Sequence, residues 1–213
     1  MDSADYDDVP SSDMMGQIFE GLYRVAANNK VELGMAAQEP KVSEDGLVYT
    51  FTLRDAKWSD GTPVTAGDFV YTYRKLVDPK EGHVAQSADV FKNAKKIRSG
   101  ELSTEELGVK AIDDKTLEIT LENPAPYLPK LLTGSRFLPQ SEKVATEKGE
   151  GYGSTADSIV TNGPFKLEGW TGSELSWKLV KNEGYWDASN VALQNVTVNV
   201  SKEVATSVQL FEG

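Results

Sequence analysis

The stretch that decides the fold is Lys57-Trp58-Ser59-Asp60-Gly61-Thr62-Pro63-Val64-Thr65-Ala66-Gly67-Asp68-Phe69-Val70-Tyr71. Asp60-Gly61 is a turn signal, and Thr65 followed three residues later by Asp68 is the pattern of a capping box. Apolar residues then recur at helical spacing up to Asp78-Pro79, which ends the helix. The stretch therefore predicts a strand end, a tight turn and a capped amphipathic helix, with Trp58 packed on that helix.

Strand patterns lie on both sides of this stretch. Residues 47–54 are rich in β-branched and aromatic side chains, with the apolar ones on one face, which predicts a strand. Residues 109–112 are followed by the turn Asp113-Asp114 and by residues 116–122, in which polar and apolar side chains alternate. They predict a β-hairpin with one solvated face and one buried face.

The remaining elements follow from caps, prolines and periodicity. Ser11 or Ser12 is expected to cap a first helix that ends near Gly21–Arg24. Further helices are expected from Pro124 and Pro126 to Gly134, from Ser141 to Lys148 and from Lys202 to Phe211, with strands at 165–170, 173–181 and 196–201, and a flexible Gly-rich stretch at 149–158. Helices and antiparallel hairpins mix without a βαβ rhythm, so we expect a mixed α/β, α+β-like fold rather than a doubly wound parallel sheet.

Composition excludes several classes of protein. The 213 residues carry a net charge of −11 and contain no Cys. A nucleic-acid partner is disfavoured because it requires a basic surface, and docking on anionic lipid is disfavoured for the same reason. Disulfides and zinc sites built from Cys are excluded. No apolar run approaches the ~18 residues of a membrane span, and no export signal is visible before Asp2, which leaves a cytosolic protein or one whose signal has been removed.

No catalytic constellation is visible. The chain has one His, His83, in a polar loop, so a catalytic triad or a His-ligated metal would depend on it alone. Nucleophile-elbow, Walker and dinucleotide-binding glycine motifs are absent. Asp113-Asp114 is explained by turn chemistry at a hairpin tip. We therefore predict no catalytic residue, no metal and no cofactor, and keep a hydrolase with an acidic site as the less favoured alternative.

Five motifs occur in an order that resembles the oligopeptide-binding receptors of ABC importers, which are the extracellular solute-binding proteins of family 5. Besides 57–71, they are Ile18-Phe19-Glu20-Gly21-Leu22-Tyr23, the hairpin from Leu107 to Leu121, Val160-Thr161-Asn162-Gly163-Pro164-Phe165, and Lys181-Asn182-Glu183-Gly184-Tyr185-Trp186. The likeness covers nearly the whole chain.

The resemblance implies a particular domain organisation. It places the chain in the first lobe of a type II periplasmic-binding-protein fold with an inserted β-rich subdomain. Residues 1–45 would form the N-terminal part of the lobe core, 46–160 the inserted subdomain, and 161–213 the return segment. The second lobe, which in the family holds the acidic partner of the peptide ammonium and much of the side-chain pocket, is expected to be missing.

The resemblance also implies the contact residues and the partners. Asp7, Asp8 and Val9, directly before Pro10, are expected to pair with peptide backbone as an added strand, the alternative being a disordered acidic N-terminus. Val84 is the nearest match to a ligand-contacting Tyr of some relatives, in a shorter loop. The expected partners are a peptide ligand, the membrane permease of the importer and the missing second lobe, with no nucleic acid.

Other ligands within the same family stay open at this point. Relatives carry dipeptides, nickel, haem or signalling peptides, and a single His gives poor support for nickel or haem. The resemblance implies a location on the extracellular or periplasmic side of the cell envelope. It also implies a lipoprotein anchor on a Cys upstream of this chain.

Overall fold

The structure is a computed structural model, and it describes residues 1–6, 8–81 and 85–201. The helices in these ranges are α1 (Val9–Ile18), α2 (Ala66–Lys75), α3 (Ala94–Arg98), α4 (Leu128–Leu131) and α5 (Glu142–Lys148). The strands are β1 (Tyr23–Val25), β2 (Val31–Leu33), β3 (Lys41–Val42), β4 (Val48–Thr52), β5 (Val109–Asp113), β6 (Thr116–Thr120), β7 (Phe165–Glu168), β8 (Ser176–Lys181) and β9 (Asn195–Asn199). Short 3₁₀ turns occupy several of the connections.

The strands form three antiparallel sheets. β1 and β2 make a hairpin, a four-stranded sheet has the order β3-β4-β6-β5, and a three-stranded sheet has the order β7-β8-β9. In the larger sheet Phe51 lies opposite Leu117, and both side chains are fully buried. The expected mixed α/β architecture is therefore confirmed.

The motif at 57–71 folds as its sequence predicts. Thr65 and Asp68 form the capping box at the start of α2, which packs against β5 and β6. Trp58 is 2% exposed, and its Nε1 donates to Asp68 Oδ2 at 3.2 Å. Its ring meets Phe19 edge-on, with the centroids 6.3 Å apart. The motif thus ties α2 to the segment that follows α1.

The first helix begins earlier than its sequence predicts. Asp8, rather than Ser11 or Ser12, is the N-cap, and its carboxylate accepts bonds of 2.7 Å from both the backbone N–H and the hydroxyl of Ser11. Pro10 fits the first turn because that position needs no amide donor. The helix also ends early, at Ile18, where Phe19 turns extended.

Two further expectations need correction, and one falls outside the described residues. Pro124 and Pro126 do not open a helix, since α4 covers only Leu128–Leu131. The Gly-rich stretch is not simply a flexible loop, because it contains two 3₁₀ turns and buries Tyr152 at 6% exposure. The helix expected at 202–211 lies beyond the described residues.

The segment that leads into β7 is joined to the end of α1 by an Asn-Gly pair. Asn162 accepts from the backbone N–H of Glu20 at 3.0 Å and donates to its carbonyl at 2.9 Å. Gly163 N donates to Ile18 O at 2.9 Å, and a Cβ at Gly163 would lie 2.6 Å from the Ile18 carbonyl carbon. Asn182 Nδ2 donates to Gly163 O at 3.0 Å. Only glycine allows this close approach.

Within the described residues, no helix combines the length and apolar character needed to cross a bilayer.

Candidate functional site

A groove of about 490 Å³ runs between α1 and the loop at 133–138. Its walls include Gly16, Gly21 and Gly134, and its other lining side chains mix apolar and polar groups. A Cβ at Gly16 would meet nothing within 4 Å, so the helix leaves open space there. A cleft with apolar walls and a few polar groups at its rim is the usual form of a ligand site.

At one end of the groove, the lining residue Ser135 contacts the segment that precedes α1. Ser135 Oγ lies 2.5 Å from the Tyr6 hydroxyl and 2.7 Å from Ser12 Oγ. Arg136 donates to the Tyr6 carbonyl at 2.5 Å, and its guanidinium lies 4.4 Å from the centroid of the Tyr6 ring. The loop at 135–136 therefore holds the N-terminal segment in place beside the groove.

The other end of the groove is a buried carboxylate. Glu20 is 5% exposed, and its Oε1 accepts from the Tyr185 hydroxyl at 2.5 Å and from Arg24 Nη1 at 3.2 Å. Trp186 Nε1 donates to the other oxygen of Glu20. Arg24 also pairs with Asp187 at 3.2 Å. Every oxygen of this buried acid is satisfied, as burial of a charge requires.

Two cations flank the Trp186 ring. The Arg54 guanidinium carbon lies 3.5 Å from the ring centroid, and that of Arg24 lies 5.5 Å from it. Arg54 is held by its bonds to the carbonyls of Gly34 and Ala36. Burial raises the pKa of the Tyr185 hydroxyl, and the charge of Glu20 raises it further. Tyr185 is therefore a permanent donor to Glu20 at any physiological pH.

Neither Asp8 nor Val9 lines the groove, but the Asp8 carbonyl accepts at 3.3 Å from the backbone N–H of Ser12, which does. Asp8 is extended, with φ −120° and ψ 150°, whereas Val9 opens α1 and is 69% exposed. Asp7 and Val84 lie outside the described residues, as does His83. Val9 is helical because Asp8 caps the helix ahead of it, so Val9 does not extend a strand.

The cluster around Glu20 was not predicted as a site. Glu20, Tyr185 and Trp186 belong to two of the quoted motifs, at 18–23 and 181–186, but Glu20 and Tyr185 are 165 positions apart. Nothing local in the sequence pairs them. Ser135 lies outside all of the quoted motifs, so no sequence pattern selects it. Among the described residues, no group of three His, Cys, Asp or Glu side chains is placed to hold a metal ion.

Curated proteins of similar sequence carry the names of peptide-binding proteins. The oligopeptide-binding protein OppA of Bacillus subtilis is 38% identical over 207 residues, which are 96% of this chain and 38% of that protein. The dipeptide-binding protein of Lactococcus lactis subsp. cremoris is 36% identical over 217 residues, covering 100% of this chain and 39% of that protein. The chain thus spans about two fifths of the length of these curated relatives.

Solved structures give the same picture. Listeria monocytogenes OppA bound to peptide superposes with a TM-score of 0.94 at 42% identity, covering 99% of this chain and 42% of that one. The fold is therefore the mixed α/β arrangement of one part of such oligopeptide-binding proteins. The family model for bacterial extracellular solute-binding proteins, family 5 Middle, matches residues 30–213. The chain belongs to the bacterial extracellular solute-binding proteins of family 5.

Proposed function

We propose that this chain provides one side of the peptide site in the substrate-binding component of an ABC importer for oligopeptides. The observation that supports this most is the superposition on a peptide-bound OppA at 42% identity. The groove beside α1 supplies the space that a ligand needs. Binding, with no catalysis, is the proposed activity.

The proposed contact is strand addition at Asp7 and Asp8, with Val9 beside the end of the added strand. Main-chain bonds recognise peptide without regard to its sequence. Asp8 has the extended backbone that strand pairing requires, and its carbonyl already accepts from Ser12 N at 3.3 Å. The ladder would therefore end at Asp8, and the exposed side chain of Val9 would contact the ligand instead. Val84 is proposed as a second contact.

The groove would take the part of the peptide that continues past this edge. Its walls come from α1, from the loop at 133–138 and from Pro164 and Tyr185. In the proposed division, these belong to the first core segment (1–45), the inserted subdomain (46–160) and the return segment (161–213). All three parts would thus shape one binding surface, which a second lobe would cover by hinge closure.

The proposed setting follows from the family. The chain would act on the extracellular or periplasmic side of the envelope, anchored as a lipoprotein, and would deliver peptide to a membrane permease. A dipeptide or a signalling peptide is the alternative ligand, since relatives include a dipeptide-binding protein and the pheromone receptor PrgZ.

The test is two-dimensional NMR of the ¹⁵N-labelled chain titrated with dipeptides, tetrapeptides and octapeptides in separate arms. We expect weak binding that shifts the amide signals of Asp8, Val9 and Ser12. Gly16→Leu fills the open side of α1 and should abolish these shifts. Gln17→Leu is the matched control, because Gln17 is exposed on the same helix and does not line the groove. Absence of shifts with any peptide, or equal loss in both variants, would contradict the proposal.

A further inference from the structure

Arg74 differs from the other four arginines of the chain. Arg24 and Arg98 form ion pairs with carboxylates. Arg54 and Arg136 donate to backbone carbonyls and lie against aromatic rings. The Arg74 side chain is half-buried, and its buried Nε has no hydrogen-bond partner among the described residues. A buried donor of this kind needs an acceptor that the described residues do not supply.

Arg74 lines a pocket of about 450 Å³. One wall is a stripe of α2 through Val70, Tyr71 and Arg74, which share one face because they are three to four residues apart. The facing wall comes from the 3₁₀ turn Thr104–Glu106 and from β5, which contributes Lys110. All the lining residues fall within residues 67–142, and none of them lines the groove beside α1.

The two lysines of the pocket already have acidic partners. Lys75 Nζ lies 2.7 Å from Asp2 Oδ2 and 3.8 Å from Glu81 Oε2. Lys110 Nζ lies 2.9 Å from Glu118 Oε1. Among the described residues, Arg74 is therefore the cation of this pocket that is left without an ion pair.

Carboxylates surround the pocket and limit the charge that it can accept. Glu142 Oε2 would lie 3.9 Å from a Cβ at Gly67, near the start of α2, and Asp78 lies beyond its end. The exposed Glu105 has a lowered pKa, caused first by hydrogen bonds from its own backbone and from Ser103, and to a lesser degree by the charge of Arg74. Because like charges repel, these acids disfavour a doubly charged anion more than a singly charged one.

The groups beside Arg74 suit a carboxylate with a short hydrocarbon part. A guanidinium presents a planar fork of donors that matches the two oxygens of a carboxylate. Burial raises the pKa of the Tyr71 hydroxyl, so this group stays protonated and can donate as well. Val70, the Tyr71 ring and Ala111 supply apolar surface in the same pocket.

We propose that this pocket, the Arg74 pocket, binds a small organic monocarboxylate, with the Arg74 guanidinium as its main contact. The site is separate from the proposed peptide groove, since the two share no lining residue. Binding here is therefore independent of whether peptide binds beside α1.

The test follows the Nε–Hε signals of the arginines in the ¹⁵N-labelled chain by two-dimensional NMR. The Arg74 signal is identified by its absence from Arg74→Gln. At constant ionic strength, propionate should shift the Arg74 signal saturably and leave that of Arg136 unchanged. Propionamide, which has the same shape without the charge, should cause no shift. Phosphate should bind at least about threefold more weakly than propionate, because the surrounding acids repel its second charge.

Three variants complete the test, with the backbone amides of Tyr71 and Thr104 as reporters. Arg74→Gln should abolish the propionate shifts. Arg74→Lys keeps the charge but loses the fork, and it should weaken binding about tenfold. Neither variant removes a hydrogen bond or an ion pair between described side chains, so both should fold. Lys96→Gln is the matched control, because it removes one charge at an exposed position outside the pocket and should bind propionate like wild type.

Several outcomes would overturn the proposal. They are a shift of the Arg74 signal that grows linearly with propionate, an equal shift with propionamide, phosphate binding as tight as propionate binding, and equal losses in Arg74→Gln and Lys96→Gln.

Discussion

The hydroxyl of Tyr185 donates a 2.5 Å hydrogen bond to the buried carboxylate of Glu20, across 165 positions of the chain. Through this contact the segment after α1 and the segment after β8 share one charged centre. The same centre forms one end of the groove proposed to bind peptide. Its contribution to stability is therefore open to direct measurement.

Glu20→Gln should lower the free energy of unfolding by about 3 kcal/mol, because it removes the charge opposite a partly buried arginine and replaces an acceptor with a donor. Urea denaturation followed by circular dichroism measures the change. Glu32→Gln is the control, since Glu32 is half exposed and lies 3.8 Å from the same Arg24. It should cost less than about 1 kcal/mol. If both variants lost the same free energy of unfolding, burial of Glu20 would not account for its contribution to stability.

Trp58→Phe should lower the free energy of unfolding by about 1–2 kcal/mol. The variant keeps the ring that packs on Phe19 but removes one of the donors to the buried Asp68 carboxylate, which is left less satisfied. Chemical denaturation of the two proteins provides the comparison. Trp177→Phe is a useful reference, because the buried Trp177 indole N–H has no hydrogen-bond partner within the described residues. Trp177→Phe should leave the free energy of unfolding nearly unchanged.

Asp68 should give stability a distinct pH dependence. Burial raises the pKa of this carboxyl, against the hydrogen bonds from Thr65, Glu142 and Trp58 that lower it. A carboxyl with a higher pKa in the folded state binds its proton more tightly there, so its contribution favours folding at low pH. That contribution declines as pH rises from the unfolded pKa, ~3.9, through the folded value. The free energy of unfolding of wild type and of Asp68→Asn should be measured by urea denaturation across pH 3–7. The value for wild type should fall relative to the value for Asp68→Asn as the pH rises.

Arg54→Lys should destabilise the chain by about 1–2 kcal/mol, because lysine loses both the flat stack on Trp186 and the forked donation to two carbonyls. Trp186 fluorescence and urea denaturation would report the change. Arg98→Lys retains the simple ion pair with Asp89 at 2.8 Å. Its expected loss is smaller, below about 1 kcal/mol, and a reversed order would contradict the stacking argument.

Glu174 should titrate at unusually low pH. The Thr171 hydroxyl and then the Thr171 backbone N–H donate to its carboxylate and lower its pKa to about 2. A lowered pKa favours folding above the unfolded value, and that contribution is lost as pH falls toward 2. Carbon-detected NMR titration of the side chain measures the midpoint directly. In Thr171→Ala the midpoint should rise toward the ordinary value of ~4.3, and an unchanged midpoint would rule out the proposed cause.

The elements predicted correctly are those whose signals are local. Thr65 and Asp68 are three residues apart, and the hairpin around Asp113-Asp114 carries its own turn and alternation. The start of α1 was predicted wrongly because Asp8 and Ser11 are both good caps. Only the extended backbone at Asp8, which lets its carboxylate reach the Ser11 amide, decides between them.

The candidate site was less predictable than the fold. Asp8 and Val9 were singled out through a family resemblance rather than through their own pattern. Ser135 belongs to the site only because the loop after α4 packs against Tyr6 and Ser12. Contacts between residues so far apart in sequence depend on the whole topology. Hydrophobic periodicity reports only local secondary structure and cannot predict them.

The junction at Asn162 and Gly163 bears on how the protein responds to cleavage. It joins the end of α1 to the segment that leads into β7 by hydrogen bonds that span 142 positions, and Ser59 N adds a 2.8 Å bond to Thr161 O. A protease nick at the exposed Glu150 would leave these bonds in place on both sides. The two pieces would then remain associated without a covalent link, so the chain is suited to fragment complementation, with the junction as the point of reassembly.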